Sequence, residues 1–311
     1  MRAQERHQPD PPVKAIPPAR DRLQSRLLVI VAVPALCWVA WNAGRYAVAG
    51  GHLGKIYLSM AVAVSALFGL AAWRLRAATA TAAGCGALIC FDITVLSGRP
   101  DGRSIFHSGL SPLILLFVIT HAATRFRRDR KDTPGLEGAG KHGRNAAQVI
   151  ANLGVAGVVS LQYHSVFRSL PHPQIGTLAF VTLQIPMLSA LAEATADTVS
   201  SEIGQAVGGK PFLLVNLRRV APGTDGAISA VGTLAGVTGA TVVALIARPA
   251  LGLNTAAMIH VVVAATGGLF FDSLLGATVE QRGWIGNDAV NFSSTLFAAA
   301  LACFLDPAVF A

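Results

Sequence analysis

Nine apolar runs separated by short polar gaps limit what this chain can become. They are Leu27 to Ala49, Ile56 to Trp73, Ala77 to Ser97, Ile105 to Thr124, Ala146 to Phe167, Ile175 to Ala196, Ala227 to Ala247, Leu251 to Ala277 and Ala289 to Leu305. A helix rises about 1.5 Å per residue, so about 20 apolar residues cross a hydrocarbon layer of about 30 Å. Lipid offers no partners to backbone amides and carbonyls, and a helix satisfies them internally. The runs therefore predict an all-α fold, a polytopic transmembrane helix bundle of about nine spans and at least seven, with residues 27–305 as a single membrane domain. Asp92 interrupts the third run, which is the weakest. Residues 1–26 hold Pro9, Pro11, Pro12, Pro17 and Pro18 among charges with no apolar period, which predicts a disordered basic tail. Residues 306–311 form a short C-terminal tail. Ala47-Val48-Ala49 has the small-residue pattern of a signal cleavage site, but the run before it is longer than a signal core and reads as a retained first span.

The charges between the runs set an orientation. Of 25 Lys and Arg residues, nineteen fall on the side of the N-terminal tail and six on the other, which places the N-terminus in the cytoplasm under the positive-inside rule. The same asymmetry explains the net charge of +9, since the basic residues lie in the gaps with few aromatics among them and no nucleic-acid partner is implied. Cys37, Cys85, Cys90 and Cys303 lie inside apolar runs without metal spacing. Gly135 to His142 approaches a phosphate loop but has His142 where a hydroxyl should meet magnesium, and no buried strand precedes it. Gly232, Gly236 and Gly239 recur at helical spacing and read as a packing seam.

Chemistry concentrates after the sixth run. Glu193 and Asp197 are four residues apart and share a helix face, with Glu202 beyond them. A carboxylate at mid-bilayer costs about 2.5–3.5 kcal/mol on insertion scales, so acids at the end of a span point to function. The connector that follows supplies Lys210, Arg218 and Arg219 as cations and a turn of Gly223, Thr224 and Gly226 with accessible amides. Acids suited to a divalent metal, beside cations and amides suited to phosphate, form a set of groups for phosphoryl chemistry. Asp272 ends the eighth run, with Gly276 and Glu280 on its face. Asn145, Gln148 and Asn152 form a polar stripe on the fifth run, and Asn287 and Asn291 form another on the ninth. Each stripe is read as a ligand contact. The competing readings are interhelical hydrogen bonds for the first and a helix cap at Asn287 for the second.

Taken in order, R-N-A-A-Q-V-I-A-N (144–152), A-D-T-V-S-S-E-I-G (196–204), P-G-T-D-G-A-I-S (222–229), D-S-L-L-G-A-T-V-E (272–280) and N-D-A-V-N-F (287–292) resemble domain-of-unknown-function family 92. This integral membrane family includes plant phytyl-phosphate kinase of the tocopherol pathway. The resemblance covers about residues 80–305 and departs from the family pattern at Leu153, Val199-Ser200 and Ala227, beside the polar residues. It implies phosphoryl transfer from a nucleoside triphosphate, CTP first, to an isoprenoid monophosphate. On this reading Asp197 and Asp272 hold Mg²⁺ with Glu193 or Glu202 in support, while the cations and the glycine turn receive the triphosphate. The expected setting is the plasma membrane of a bacterium, with membrane lipid around the bundle and the site on the cytoplasmic face. The alternative is a secondary transporter whose carboxylates couple to an ion or proton, or another non-enzymatic multi-pass membrane protein such as a lipid-binding scaffold.

Overall fold

The computed structural model describes residues 16–98, 104–127, 143–161, 176–207 and 209–306. Nine α-helices form among these residues, each on one of the nine apolar runs. They are α1 (Pro18–Ala49), α2 (Gly51–Arg74), α3 (Ala80–Ser97), α4 (Leu110–Arg125), α5 (Ala146–Val159), α6 (Gly176–Val207), α7 (Ala230–Leu251), α8 (Thr255–Leu275) and α9 (Asn287–Leu305). A π-helical turn, Gly276–Glu280, extends α8, and two-residue strands β1 (Phe212–Leu213) and β2 (Ala227–Ile228) pair antiparallel between α6 and α7. Six of the helices are long and apolar enough to cross a membrane, and α4 and α5 are shorter apolar helices of 16 and 14 residues. The protein is a multi-pass helical membrane bundle.

Helix ends depart from the apolar boundaries where capping decides them. The segment Pro18–Arg26, expected in the disordered tail, is the first part of α1, with proline at the helix start where its missing N–H is not needed. It docks through Arg20 Nη1 to the Gly283 carbonyl (3.1 Å), Gln24 Nε2 to the Trp284 carbonyl (2.9 Å) and Ser25 Oγ to Asp288 Oδ2 (2.6 Å). Residues 1–15 lie outside the described part. At the other extreme α6 runs to Val207, beyond the end of its apolar run at Ala196, so the helix that carries Glu193 and Asp197 continues through Glu202. The seventh helix starts at Ala230 because Ser229 caps it, its Oγ accepting from the Gly232 amide at 3.1 Å. The fifth run is helical to Val159, and its remainder past residue 161 lies outside the described residues, as does the basic loop 128–142.

α6 is the axis of the bundle. It packs on α4, α5, α7, α8 and α9, and every residue from Gln184 to Ala196 is buried. The small-residue seam of α7 lies against it. A Cβ on Gly232 would stand 2.6 Å from the Ser200 carbonyl oxygen, and one on Gly236 2.6 Å from that of Ala196. Such proximity lets backbones approach where no hydrophobic effect drives helices together. Asp92, the interruption of the third run, is 0% exposed inside α3 and neither of its oxygens has a hydrogen-bond partner.

The helix ends that the charge count puts on one side do meet at one end of the bundle. Thr79 N donates to the Arg144 carbonyl and Arg144 N to that of Ala77, both at 2.9 Å, while Arg125 Nη2 reaches the Leu75 carbonyl at 3.0 Å. The end of α6, the start of α7, the end of α8 and the start of α9 surround one cavity there.

Candidate functional site

The cavity measures about 320 Å³, at the small end of the roughly 300–1,000 Å³ range of ligand pockets. Helix α6 contributes Asp197 and Glu202, the turn before β2 contributes Asp225, and α8 with its π turn contributes Asp272 and Glu280. Against these five carboxylates stands a single cation, Arg144, among the described lining residues. Arg144 sits just before α5 and donates from Nη2 to Thr198 Oγ1 at 3.2 Å, facing Glu202 and Asp197. Burial lowers its pKa from the ordinary arginine value, and those two carboxylates oppose the shift.

Asp272 faces the carboxylates of Asp197, Glu193 and Glu280, and its Oδ1 has no hydrogen-bond partner. Glu193 lies one helical turn deeper than Asp197, behind the cavity wall. It is 1% exposed, its Oε1 has no partner, and it packs where a Cβ on Gly268 would come within 2.5 Å of its Cγ. Ser294 Oγ, which donates to the Asn291 carbonyl at 3.0 Å, lies close to both Glu193 and Asp272.

The glycine turn is built as the sequence implies, and it has a further support. Gly223 (φ 84°) and Gly226 (φ 71°) adopt the left-handed backbone that glycine tolerates, and both line the cavity with Thr224. Thr224 Oγ1 donates to the Ala221 carbonyl at 2.8 Å and closes the turn. Gly226 lies against the π turn, so closely that a Cβ would stand 2.1 Å from the Ala277 amide nitrogen. Gln281 Nε2 completes the joint by donating to the Asp225 carbonyl at 2.8 Å. A π turn relieves the regular helix at this contact, as such turns often do at functional sites.

Of the two amide stripes, Gln148, Asn152, Asn287 and Asn291 line the cavity and Asn145 does not. Asn145 is the N-cap of α5. Its Oδ1 accepts from the Gln148 amide at 3.0 Å, and Gln148 Oε1 accepts from the Asn145 amide at 2.9 Å, a reciprocal capping box. Asn152 spends its Nδ2 on the Gln148 carbonyl at 2.8 Å. The ninth helix has Gly286 at its cap position, so Asn287 is not spent on capping.

The predicted cations Lys210, Arg218 and Arg219 are absent from the cavity lining. The connector doubles back into a tight hairpin, with Leu213 N on the Arg218 carbonyl and Val220 N on the Pro211 carbonyl, both at 3.0 Å. That register leaves the three side chains exposed. Arg219 is occupied with the Lys210 carbonyl and lies over the Phe212 ring, 5.8 Å from its centroid. Arg144 takes the position by the acids that the sequence reading gave to them, and Asp225 and Glu280 were likewise not among the expected site residues. Arg144 opens the first family-like motif and Glu280 closes the fourth, which is the signal that could have found both.

Among the described residues no three His, Cys, Asp or Glu side chains gather closely enough to hold a metal alone. Mg²⁺ asks less of a protein, taking one or two carboxylates and completing its shell with phosphate oxygens and water. The orphaned Asp272 oxygen beside Asp197 fits that smaller demand.

The integral membrane protein family DUF92 matches residues 63–299 of the chain. An uncharacterized membrane protein of Methanocaldococcus jannaschii is 40% identical over 116 residues, 36% of this chain and 47% of that protein. The chloroplast protein VTE6 of Arabidopsis thaliana is 29% identical over 200 residues, 63% of this chain and 58% of its own length. An uncharacterized membrane protein of Synechocystis is 31% identical over 121 residues, 39% of this chain and 47% of its own length. The chain thus spans about half the length of the curated relatives it matches. No solved structure matches it.

Proposed function

For this chain, which belongs to the DUF92 family of integral membrane proteins, we propose membrane-embedded phosphotransfer from a nucleoside triphosphate, CTP first among candidates, to an isoprenoid monophosphate. One observation carries the reading: Asp197 and Asp272 line one cavity that also holds a half-buried arginine and an amide-bearing glycine turn in the left-handed backbone region. The similarity to a chloroplast protein and the family resemblance favour an isoprenoid acceptor.

In the reaction, an oxygen of the acceptor phosphate bonds to the γ-phosphorus while the bond from that phosphorus to the β–γ bridging oxygen breaks. The nucleoside diphosphate leaves with the electron pair. The acceptor phosphate is already an anionic nucleophile, so no strong general base is needed. Arg144 and the Gly223 to Gly226 amides receive the charge that spreads over the transferring oxygens. Gln148, Asn152, Asn287 and Asn291 orient the acceptor phosphate or the nucleotide. Asp197 and Asp272, with Glu202 in support, would hold Mg²⁺, whose charge screens the triphosphate when bound. The prenyl chain would lie among the spans and the site would open to the cytoplasm of a bacterium.

The test uses purified protein in nanodiscs with Mg²⁺ and labelled CTP or ATP against a panel of prenyl monophosphates. Label in a prenyl diphosphate, lost in folded Asp197→Asn and Asp272→Asn variants, supports the kinase. No transfer from correctly folded protein refutes it. A transporter is the second reading, favoured by Asp92, a carboxylate buried deep in the bundle without a partner. Substrate flux in proteoliposomes that disappears in Asp92→Asn would select it.

A further inference from the structure

The hairpin from Gly209 to Ala221 stands beside the cavity and contributes only its base, Gly209 and Pro211, to the lining. Its tip displays Val215, 44% exposed, and Leu217, 70% exposed, with Lys210, Arg218 and Arg219 on the same element and no acid anywhere in the segment. Lys210 and Arg218 have no side-chain partner among the described residues, and Asn216 Oδ1 is occupied in accepting from the Arg218 amide at 3.0 Å.

Leu217 is an unusual choice for its position. Its φ is 56°, the left-handed region where glycine or asparagine is at ease and a leucine is strained. Its side chain is also exposed, so in water the residue would lose on backbone conformation and on apolar hydration together. An apolar medium for the side chain removes the hydration penalty and offsets the backbone one.

The hairpin cannot travel far to find one. It leaves α6 at Val207, 44% exposed, and the chain re-enters at α7 by Val231 and Leu234, 45% and 70% exposed, side chains that in a membrane bundle face lipid. From Pro211 to the tip is on the order of 10 Å of strand. The tip cations therefore stay within about a Debye length of the headgroup layer. The cytoplasmic leaflet carries anionic lipids that attract such cations.

We propose that the Gly209 to Ala221 hairpin is a docking element for the anionic headgroup layer of the bilayer, with Leu217 and Val215 inserted among the lipids and Lys210 and Arg218 on lipid phosphates. Two of the three cations that the sequence assigned to substrate, Lys210 and Arg218, then serve the membrane at the mouth of the cavity. The proposal does not depend on the phosphotransfer reading.

Hydrogen exchange of the unmodified protein tests it, in nanodiscs of phosphatidylcholine alone and of phosphatidylcholine with phosphatidylglycerol. Amides of Leu214 to Arg219 exchange roughly tenfold more slowly with the anionic lipid, and high salt removes the difference. Leu217→Gly keeps the hairpin, because glycine suits its backbone, and reduces the protection. Lys210→Ala with Arg218→Ala abolishes the lipid difference. Equal exchange in the two nanodiscs overturns the proposal. So does protection by inorganic phosphate in phosphatidylcholine alone, which would identify a free-anion site, or protection that arises only when a soluble protein is added.

Discussion

Replacing Asp272 by asparagine should stabilise the ligand-free protein while removing its response to metal and nucleotide. Oδ1 of Asp272 has no hydrogen-bond partner, and its carboxyl faces those of Asp197, Glu193 and Glu280. An unsatisfied buried polar atom costs about 1–3 kcal/mol. Asparagine keeps the shape, removes one acidic group from the cluster and offers two N–H donors to the acids around it. The gain should be about 1–3 kcal/mol, or about 2–6 °C in Tm at the low per-kcal response of a chain this long. Wild-type protein, held at about a hundredfold excess of Mg-nucleotide over its Kd, gains about 2.7 kcal/mol from binding, and the variant loses that gain. Thermal unfolding in one detergent, with and without Mg-CTP, measures both terms. Asp197→Asn supplies the contrast: Asp197 faces the half-buried Arg144, so its loss leaves that cation less compensated and lowers Tm. A ligand-free Asp272→Asn protein less stable than wild type would refute the reasoning, because the carboxylate would then be a structural partner rather than one held for a ligand.

Arg144→Gln should weaken Mg-nucleotide binding at least tenfold in calorimetry, and Arg144→Lys should restore little of it, since a compact ammonium lacks the planar fork that holds Thr198 with one arm and offers another to a phosphate. Gly226→Ala puts a Cβ against backbone atoms, 2.1 Å from the Ala277 nitrogen and 2.4 Å from the Ser273 carbonyl oxygen, in addition to its positive φ. Exchange of residues 221–228 should quicken and stability fall by about 2 kcal/mol or more. Asn145→Ala should cost about 1 kcal/mol in unfolding and leave the nucleotide Kd unchanged, which separates a cap from a ligand.

The course of the helices was legible because lipid imposes a length, and among the described residues a helix forms on each of the nine runs. Apolarity does not say where a helix stops. α6 continues to Val207 through Asp197, Ser200, Ser201 and Glu202 because these residues, though polar, still face packed neighbours or the cavity. Asn145 was readable as a cap from its own sequence, since Asn-x-x-Gln before an apolar run is a capping-box pattern. The hairpin was beyond a reading of composition. Which way Lys210, Arg218 and Arg219 face depends on the pairing of Pro211 with Val220, a register that charge and spacing do not encode. Arg144 was hidden differently, counted among loop charges that orient the bundle although its guanidinium turns in towards two acids.

The joint between Gly226 and Gly276 has a mechanical consequence. Each leaves room only for the other's bare backbone: a Cβ on Gly276 would stand 2.6 Å from the Gly226 nitrogen. The glycine turn therefore cannot flap alone like an ordinary loop lid. It is keyed to the end of α8, so the amides and Asp272 shift as one rigid piece. A shift of that piece relative to α6 would change the gap to Asp197, so the width of the opening is coupled to the geometry of the two acids.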